Sequence, residues 1–351
     1  MKKLLATSAL VGTLAFVSAT PSVAQTSVTG SLDLTMRSTK HDLATMSIKS
    51  DTSMGRESQI NVQNKGTLNN GLGYAAGFSL EFDGGGTVNA GETVGSTSNE
   101  NVFIDLISGS TTFTFGVDHI QNPKHDLLNA TADIIDETVT NSGSIMNYSG
   151  SGIAKESIGL GIVQNLGTGI NASVWFAPNA GNKGTQNNGA AVLNGTNTDG
   201  GTTSNAIYEI GLVANNIEKS GVSIQAWKSS MTKGNAETND TEATSYAIDY
   251  KIGQFGVGVA RIVNSDSADI ENKSTLAHLT YTPNANLSAS LVYGKTSRDA
   301  LTVDEKLKGI QIGYNLGAVG VGLTYSKITD LAGVDTNGDV DALGLSLSTK
   351  F

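Results

Sequence analysis

Hydrophobic and polar residues alternate with a period of two over many short stretches of this chain. In residues 72–82 one side carries the apolar set Leu72, Tyr74, Ala76, Phe78, Leu80 and Phe82. The other side carries Gly, Ala, Ser and Glu residues. Such alternation is typical of a β-strand whose two faces meet different environments. The length, about ten residues, is that of a tilted strand crossing a bilayer.

The same alternation recurs to the end of the chain, and short and long connections separate the strands in turn. Short turns are expected in 251–254, 282–286 and 315–319, whereas 179–204 is a long polar loop. Outer-membrane barrels have this asymmetry, with short periplasmic turns and long external loops. A literal count gives about seventeen strands. An antiparallel barrel with both chain ends on one side must have an even number, so the count becomes sixteen when a single strand is assigned at about 156–164.

Composition favours a barrel around water over a globular core. Aromatic residues are 6% of the chain, and 42 glycines stand against 4 prolines. A closed barrel needs one apolar layer outside and small polar residues inside, which this composition can supply. A secreted β-sandwich or solenoid is the alternative that composition leaves open.

The first residues have the pattern of a secretory signal. Lys2 and Lys3 precede an apolar run, and small residues follow up to Ala24, so cleavage is expected there and residues 25–351 form one barrel domain. The chain has 32 acidic and 22 basic residues, which argues against a nucleic-acid partner. It has no cysteine, which excludes a disulfide framework.

Three segments together resemble the general trimeric porins of Gram-negative outer membranes. They are the hairpin in 59–83, the stretch NVFIDLISGSTTFTFGVDH in 101–119, and the closing LGLSLSTKF that ends at Phe351. The resemblance implies an all-β, sixteen-stranded antiparallel transmembrane barrel, a homotrimer, and a third loop, residues 118 to about 155, folded into the lumen as a constriction. It also implies that Phe351 closes the barrel and signals to the outer-membrane insertion machinery.

The function expected on this basis is passive diffusion of small hydrophilic solutes and ions through a water-filled channel in the outer membrane. An outer-membrane structural or adhesive barrel with a plugged lumen remains the alternative. No enzyme, cofactor or metal site is expected. The four histidines have no metal spacing, and the calcium-like loop that starts at Asp335 has Val340 where a turn glycine is required.

Charge selection is expected at the third loop. The segment HDLLNATADIIDET permits a short helix with Asp126 as its N-cap. Helical spacing puts Leu127, Leu128, Ile134 and Ile135 on one side. Asp133, Asp136 and Glu137 fall almost opposite, and an inward-folded loop would aim them at the water column. A solvated surface helix is the other interpretation of the same residues.

In this interpretation the inner wall of the barrel carries negative charge, as the third loop does. Strand parity turns Glu81, Asp105 and Asp118 inward, and Arg37 is an inward cation near the outer rim. Porins that this chain resembles oppose an acidic loop with a basic cluster, and Asp118 stands where many carry arginine. A weak cation preference is therefore expected.

Cations end several ascending strands on the side of their lipid-facing residues. These are Lys228, Arg261, Lys295 and Lys327. A cation at the bilayer centre costs about 2 to 4 kcal/mol, whereas near an interface the cost falls to about 0 to 1 kcal/mol. We therefore expect them at the outer rim, in contact with phosphates of outer-membrane lipid, or extended toward water without a specific partner.

Overall fold

The computed structural model describes residues 24–42, 50–83, 96–117, 131, 135, 144–146, 157–178, 206–233, 239–266, 268–299, 301–333 and 338–351. The strands are β1 Gln25–His41, β2 Ser50–Thr67, β3 Gly73–Asp83, β4 Ser96–Ser108, β5 Thr111–Val117, β6 Ile158–Gly167, β7 Ile170–Ala177, β8 Ile207–Ala214, β9 Val222–Met231, β10 Thr241–Ile252, β11 Phe255–Ser265, β12 Glu271–Asn284, β13 Leu287–Arg298, β14 Glu305–Asn315, β15 Val319–Thr329 and β16 Val340–Lys350. Two single turns of 3₁₀ helix, Ile217–Lys219 and Leu331–Gly333, lie between strands.

The strands form one closed antiparallel barrel in chain order, and β1 pairs with β16. The predicted count of sixteen is confirmed, and the strand expected at about 156–164 is β6. Short connections lie at the rim where β1 starts and β16 ends. Long connections lie at the opposite rim, here called the outer rim. No helix in the described part of the chain is long and apolar enough to span a membrane.

The two faces of the barrel differ as the alternation predicts. Large apolar side chains on the outer face are exposed, for example Leu291 at 52% and Leu343 at 53%. Their neighbours Val292 and Ala342 point inward and are buried at 4% and 3%. Val117, the last residue of β5, is in phase with the exposed Phe113 and Phe115 but is buried. The exposed band is suited to lipid contact.

The seam between β1 and β16 continues to the last residue. The Gly30 amide donates to the Phe351 carbonyl at 2.7 Å, and the Phe351 amide donates to the Gly30 carbonyl at 3.0 Å. The Phe351 ring lies over Gly30, where a Cβ atom would come within 2.5 Å of two ring carbons. Gly30 therefore provides the space in which the terminal ring packs on the outer face.

Replacing Gly30 with leucine should weaken this seam. The new side chain would displace the Phe351 ring and would press on the Gln59 carbonyl, 3.0 Å from the Cβ position. Overpacking of this kind costs about 1 to 3 kcal/mol. Urea titration of the folded protein in detergent should show a lower free energy of unfolding for Gly30→Leu. Val28→Leu, which adds one methylene at a 65% exposed site on the same strand, should leave it unchanged.

Candidate pore constriction

The strand bounds place the third loop at 118–157, and its described residues lie against the inner wall far from the strands that the loop connects. It leaves β5 and returns at β6, yet its described residues contact β13 and β14, about halfway round the barrel. The Thr131 amide donates to the Gln311 side-chain oxygen at 2.9 Å, and the Thr131 carbonyl lies 2.9 Å from the Cβ position of Gly313. The inward fold of this loop, predicted from the family resemblance, is confirmed.

An apolar patch on the inner wall receives the loop. Ile135 and Met146 of the loop are buried at 0% and 5%. They belong to one cluster with Leu331, from the connection between β15 and β16, and with inward-facing wall residues, namely Ala247, Ala260, Ile262, Leu276, Val292, Leu307, Ile328 and Val340. Two wall glycines make the close approach possible, since a Cβ atom at Gly309 would lie 2.6 Å from Ile135 Cδ1 and one at Gly294 would lie 2.5 Å from Met146 Sδ.

Glu305, at the start of β14, is the polar anchor of the same contact. Its fully buried carboxylate accepts the Ser144 hydroxyl hydrogen, and it accepts the Ile145 amide of the third loop at 3.2 Å. It also accepts the Ala332 amide, from the connection between β15 and β16, at 2.7 Å. One side chain thus joins the barrel wall, the third loop and a second outer connection.

The acidic wall residues Glu81 and Asp105 lie on the inner face but have almost no contact with bulk water. They are 0% and 1% exposed. Asp105 accepts the Thr114 hydroxyl at 2.5 Å. Because they are covered, these two carboxylates can act on a passing ion only through their field, and not by direct contact. Arg37 lies on the inner face of β1, opposite Ser53 and Gly344, and is partly buried.

The remaining residues proposed for selectivity lie outside the described residues. They are Asp118, Asp126, Asp133, Asp136 and Glu137. The helix expected in this loop also falls outside the described residues, apart from Ile135, which has helical backbone geometry. Ile135 was expected on the apolar side of that helix, and its burial against the wall agrees with that orientation.

The four predicted rim cations all lie on the outer face, and each has a polar partner. Lys228 pairs with Glu242 at 2.9 Å, Lys295 with Asp304 at 2.7 Å, and Lys327 with Asp339 at 2.7 Å. Arg261 donates to the Thr275 hydroxyl at 2.6 Å. Sequence reasoning missed two further cations there, Lys306 and Lys308, although both alternate with the inward residues of β14.

The histidine that faces the lumen has a carboxylate neighbour. His278 of β12 and Asp249 of β10 lie on either side of Gly258 of β11, and His278 Nε2 is 3.5 Å from Asp249 Oδ1. No group of three or more His, Cys, Asp or Glu residues in the described part of the chain has a geometry that could hold a metal ion.

A closed sixteen-stranded barrel with an apolar outer band and a loop folded against its inner wall belongs to the class of outer-membrane diffusion channels. The family model described as Gram-negative porin matches residues 6–284, and this chain belongs to that family. Its family and fold place it in the outer membrane, and they indicate a passive channel and not an enzyme. No curated protein sequence matches the chain.

Solved porin structures share the fold at low sequence identity. The anion-selective porin from Comamonas acidovorans superposes with a TM-score of 0.65 at 12% identity, covering 94% of this chain and 100% of that one. A multiply substituted porin of Rh. blastica superposes with a TM-score of 0.59 at 13% identity, covering 93% and 100%. A triple mutant of Rhodopseudomonas blastica porin gives 0.57 at 13% identity, with the same coverage. These similarities establish the barrel fold.

Proposed function

We propose that this protein is an open diffusion channel for small hydrophilic solutes and ions that weakly prefers cations. The observation that supports an open lumen is the attachment of the third loop to one side of the wall through Glu305, Ile135 and Met146. A loop fixed to the wall narrows the lumen without having to fill it. Swelling of liposomes in sugars of increasing size tests this, since a plugged structural barrel gives no swelling with any sugar.

The sign of the selectivity follows from the excess of carboxylates. The net charge is −10, and the three loop acids Asp133, Asp136 and Glu137 are the residues proposed to act on passing ions. Asp126 and Asp118 belong to the same loop and are proposed to contribute. At about 8 Å in water one charge contributes about 0.5 kcal/mol, roughly a factor of two. Glu81 and Asp105 are covered and contribute less, and Arg37 opposes them. The preference is therefore modest.

The amide variant Asp133→Asn/Asp136→Asn/Glu137→Gln should lower the cation-to-anion permeability ratio several-fold, because three charges of this size are removed. Reversal potentials across a planar bilayer in a salt gradient measure the ratio. The matched control is Asp304→Asn/Asp330→Asn/Asp339→Asn, which removes three carboxylates that pair with lysines on the outer face. Anion preference in the unmodified protein, or equal ratios in both variants, would refute the assignment.

The assembly proposed with this function is a homotrimer of residues 25–351 after removal of the signal segment. The start of β1 at Gln25 supports a boundary at Ala24. Phe351, packed over Gly30 at the seam, supports a role in barrel closure and in recognition by the insertion machinery. A band that migrates as a trimer in detergent until it is heated tests the assembly.

Outer-membrane lipid is the further proposed partner, with Lys228, Arg261, Lys295 and Lys327 as its first candidate contacts.

A further inference from the structure

Four lysines on the outer face of β13, β14 and β15 form two like-charge pairs across neighbouring strands. Lys295 lies directly opposite Lys306, and Lys308 lies directly opposite Lys327. Like charges in directly opposed positions destabilise a sheet. The sequence nevertheless places these two pairs side by side near the outer rim, where β13 and β15 end and β14 begins.

Nearby carboxylates offset much of this charge, since Lys295 pairs with Asp304 at 2.7 Å and Asp341 lies directly opposite Lys327. Lys327 holds Asp339 at 2.7 Å, and Lys306 lies 3.8 Å from Asp330, which is a long ion pair. Lys308 is exposed and makes no ion pair with any residue that the structure describes. Each ammonium group has three N–H donors, so donors remain free on all three lysines after these contacts.

Three of the four lysines line a pocket on the outer surface. Lys306, Lys308, Lys327 and Thr329 line a pocket of about 280 Å³. One water takes about 30 Å³ of liquid volume, so the pocket has room for a polar group and several waters. Three ammonium groups and a hydroxyl around one space suit an oxyanion that carries more than one charge.

The position of the pocket indicates which oxyanion it holds. It opens on the face that carries the exposed apolar residues Ile310, Ile312 and Tyr325. Tyr293, directly opposite Lys308, is on the same face, and tyrosine is favoured where a bilayer meets water. A ligand with acyl chains could place its charged group among the lysines and its chains along the apolar band.

We propose that Lys306, Lys308 and Lys327, with the Thr329 hydroxyl, bind the phosphate-bearing headgroup of an outer-leaflet lipid. This inference rests on the proposed function, since it requires the barrel to lie in an outer membrane, and it assigns the lipid partner to one site. A bound phosphate would neutralise Lys308 and would relieve the repulsion between the opposed lysines.

Native mass spectrometry of the detergent-purified protein with diphosphoryl lipid A, in EDTA to prevent bridging by divalent cations, tests the site. The variant Lys306→Gln/Lys308→Gln/Lys327→Gln should bind about 100-fold more weakly, because each lysine near an anionic lipid surface contributes roughly fivefold. The matched control Lys65→Gln/Lys251→Gln/Lys350→Gln removes three lysines near the opposite rim and should bind as the unmodified protein does.

Two further binding measurements distinguish recognition of a phosphorylated lipid from binding of lipid in general and from binding of free phosphate. Lipid A without phosphates should bind weakly to every variant, and inorganic phosphate at the same concentration should not displace the diphosphoryl lipid. Equal binding by the triple variant and its control, or displacement by inorganic phosphate, would overturn the proposal.

Thermal unfolding in detergent gives a readout that does not depend on lipid binding. Without lipid, the triple glutamine variant should be about as stable as the unmodified protein, since it loses two like-charge contacts together with the exposed ion pairs of Lys306 and Lys327. With lipid A it should gain less stability than the unmodified protein, and an equal gain would contradict the site. Conductance of the same samples shows separately whether the channel function holds.

Discussion

Replacing Glu305 with alanine is expected to free the third loop from the barrel wall. The substitution removes the acceptor of the Ser144 hydroxyl and of the Ile145 and Ala332 amides, and it does so at a site with 0% exposure. Each buried donor left without a partner costs about 1 to 3 kcal/mol. Two of the three donors, the Ser144 hydroxyl and the Ile145 amide, belong to the third loop, so the docked position should lose about 2 kcal/mol or more relative to the undocked one. This corresponds to at least about a 30-fold fall in the ratio of docked to undocked loop.

A single cysteine can report this release directly. The chain has no cysteine, and Met146 is 5% exposed in the docked loop, so Met146→Cys creates one protected thiol. Adding Glu305→Ala should raise the rate of thiol labelling by at least about 30-fold. Single-channel recordings of Glu305→Ala in the unmodified background should show frequent transitions between current levels, because a mobile loop samples several positions in the lumen.

Two comparison variants define the role of the carboxylate. Glu305→Gln keeps one acceptor oxygen and should give an intermediate labelling rate. Glu242→Ala removes a carboxylate from the outer face, where it pairs only with Lys228 among the residues described, and should leave labelling and current unchanged. A labelling rate for Glu305→Ala equal to that for Glu242→Ala would show that apolar packing alone holds the loop.

Most of the barrel could be predicted from the sequence because lipid and water impose opposite demands on alternate residues. In β16 the exposed Leu343 and Leu345 alternate with buried Ala342 and Gly344. The number of strands required a further condition, that both chain ends lie at one rim, and this condition merged two candidate strands into β6. Neither inference depends on long-range contacts.

The attachment of the third loop was harder to predict because its partners are far away in the sequence. Leu307 is out of phase with the outward Ile310 and Ile312, and Val292 lies between the outward Leu291 and Tyr293. These inward apolar residues indicated that another segment of the chain packs on the inner wall and excludes water from it. Their partner, some 170 residues earlier, could not be identified without the folded barrel. The polar anchor Glu305 was missed for the same reason.

The charged residues show the limit of strand parity most clearly. Alternation along the strands predicted that Glu81 and Asp105 point inward, and both are on the inner face. It could not predict that both are almost fully covered, since that depends on how the lumen is filled. Parity also puts Lys306 and Lys308 outside, but only the register of β13, β14 and β15 reveals that each opposes another lysine.

Replacing Gly309 with leucine should move the third loop toward the pore axis. A Cβ atom at Gly309 would lie 2.6 Å from Ile135 Cδ1 and 2.8 Å from Val292 Cγ2. Carbon atoms in normal contact are about 3.5 to 4.0 Å apart, so Ile135 must retreat by about 1 Å or more. The wall is fixed by the hydrogen-bonded ladders of β13, β14 and β15, whereas the loop can move. The loop therefore shifts inward.

The expected result is a lower single-channel conductance and a lower size limit for sugars in liposome swelling. The barrel itself should remain folded, since overpacking costs about 1 to 3 kcal/mol. Gly320→Leu is the matched control, because it adds the same side chain to the inner face of β15, where its Cβ atom meets only the Ser348 hydroxyl within 3.4 Å. Equal conductance losses in both variants would mean that added volume anywhere on the inner wall restricts the pore, and that the contact between Gly309 and Ile135 does not set its width.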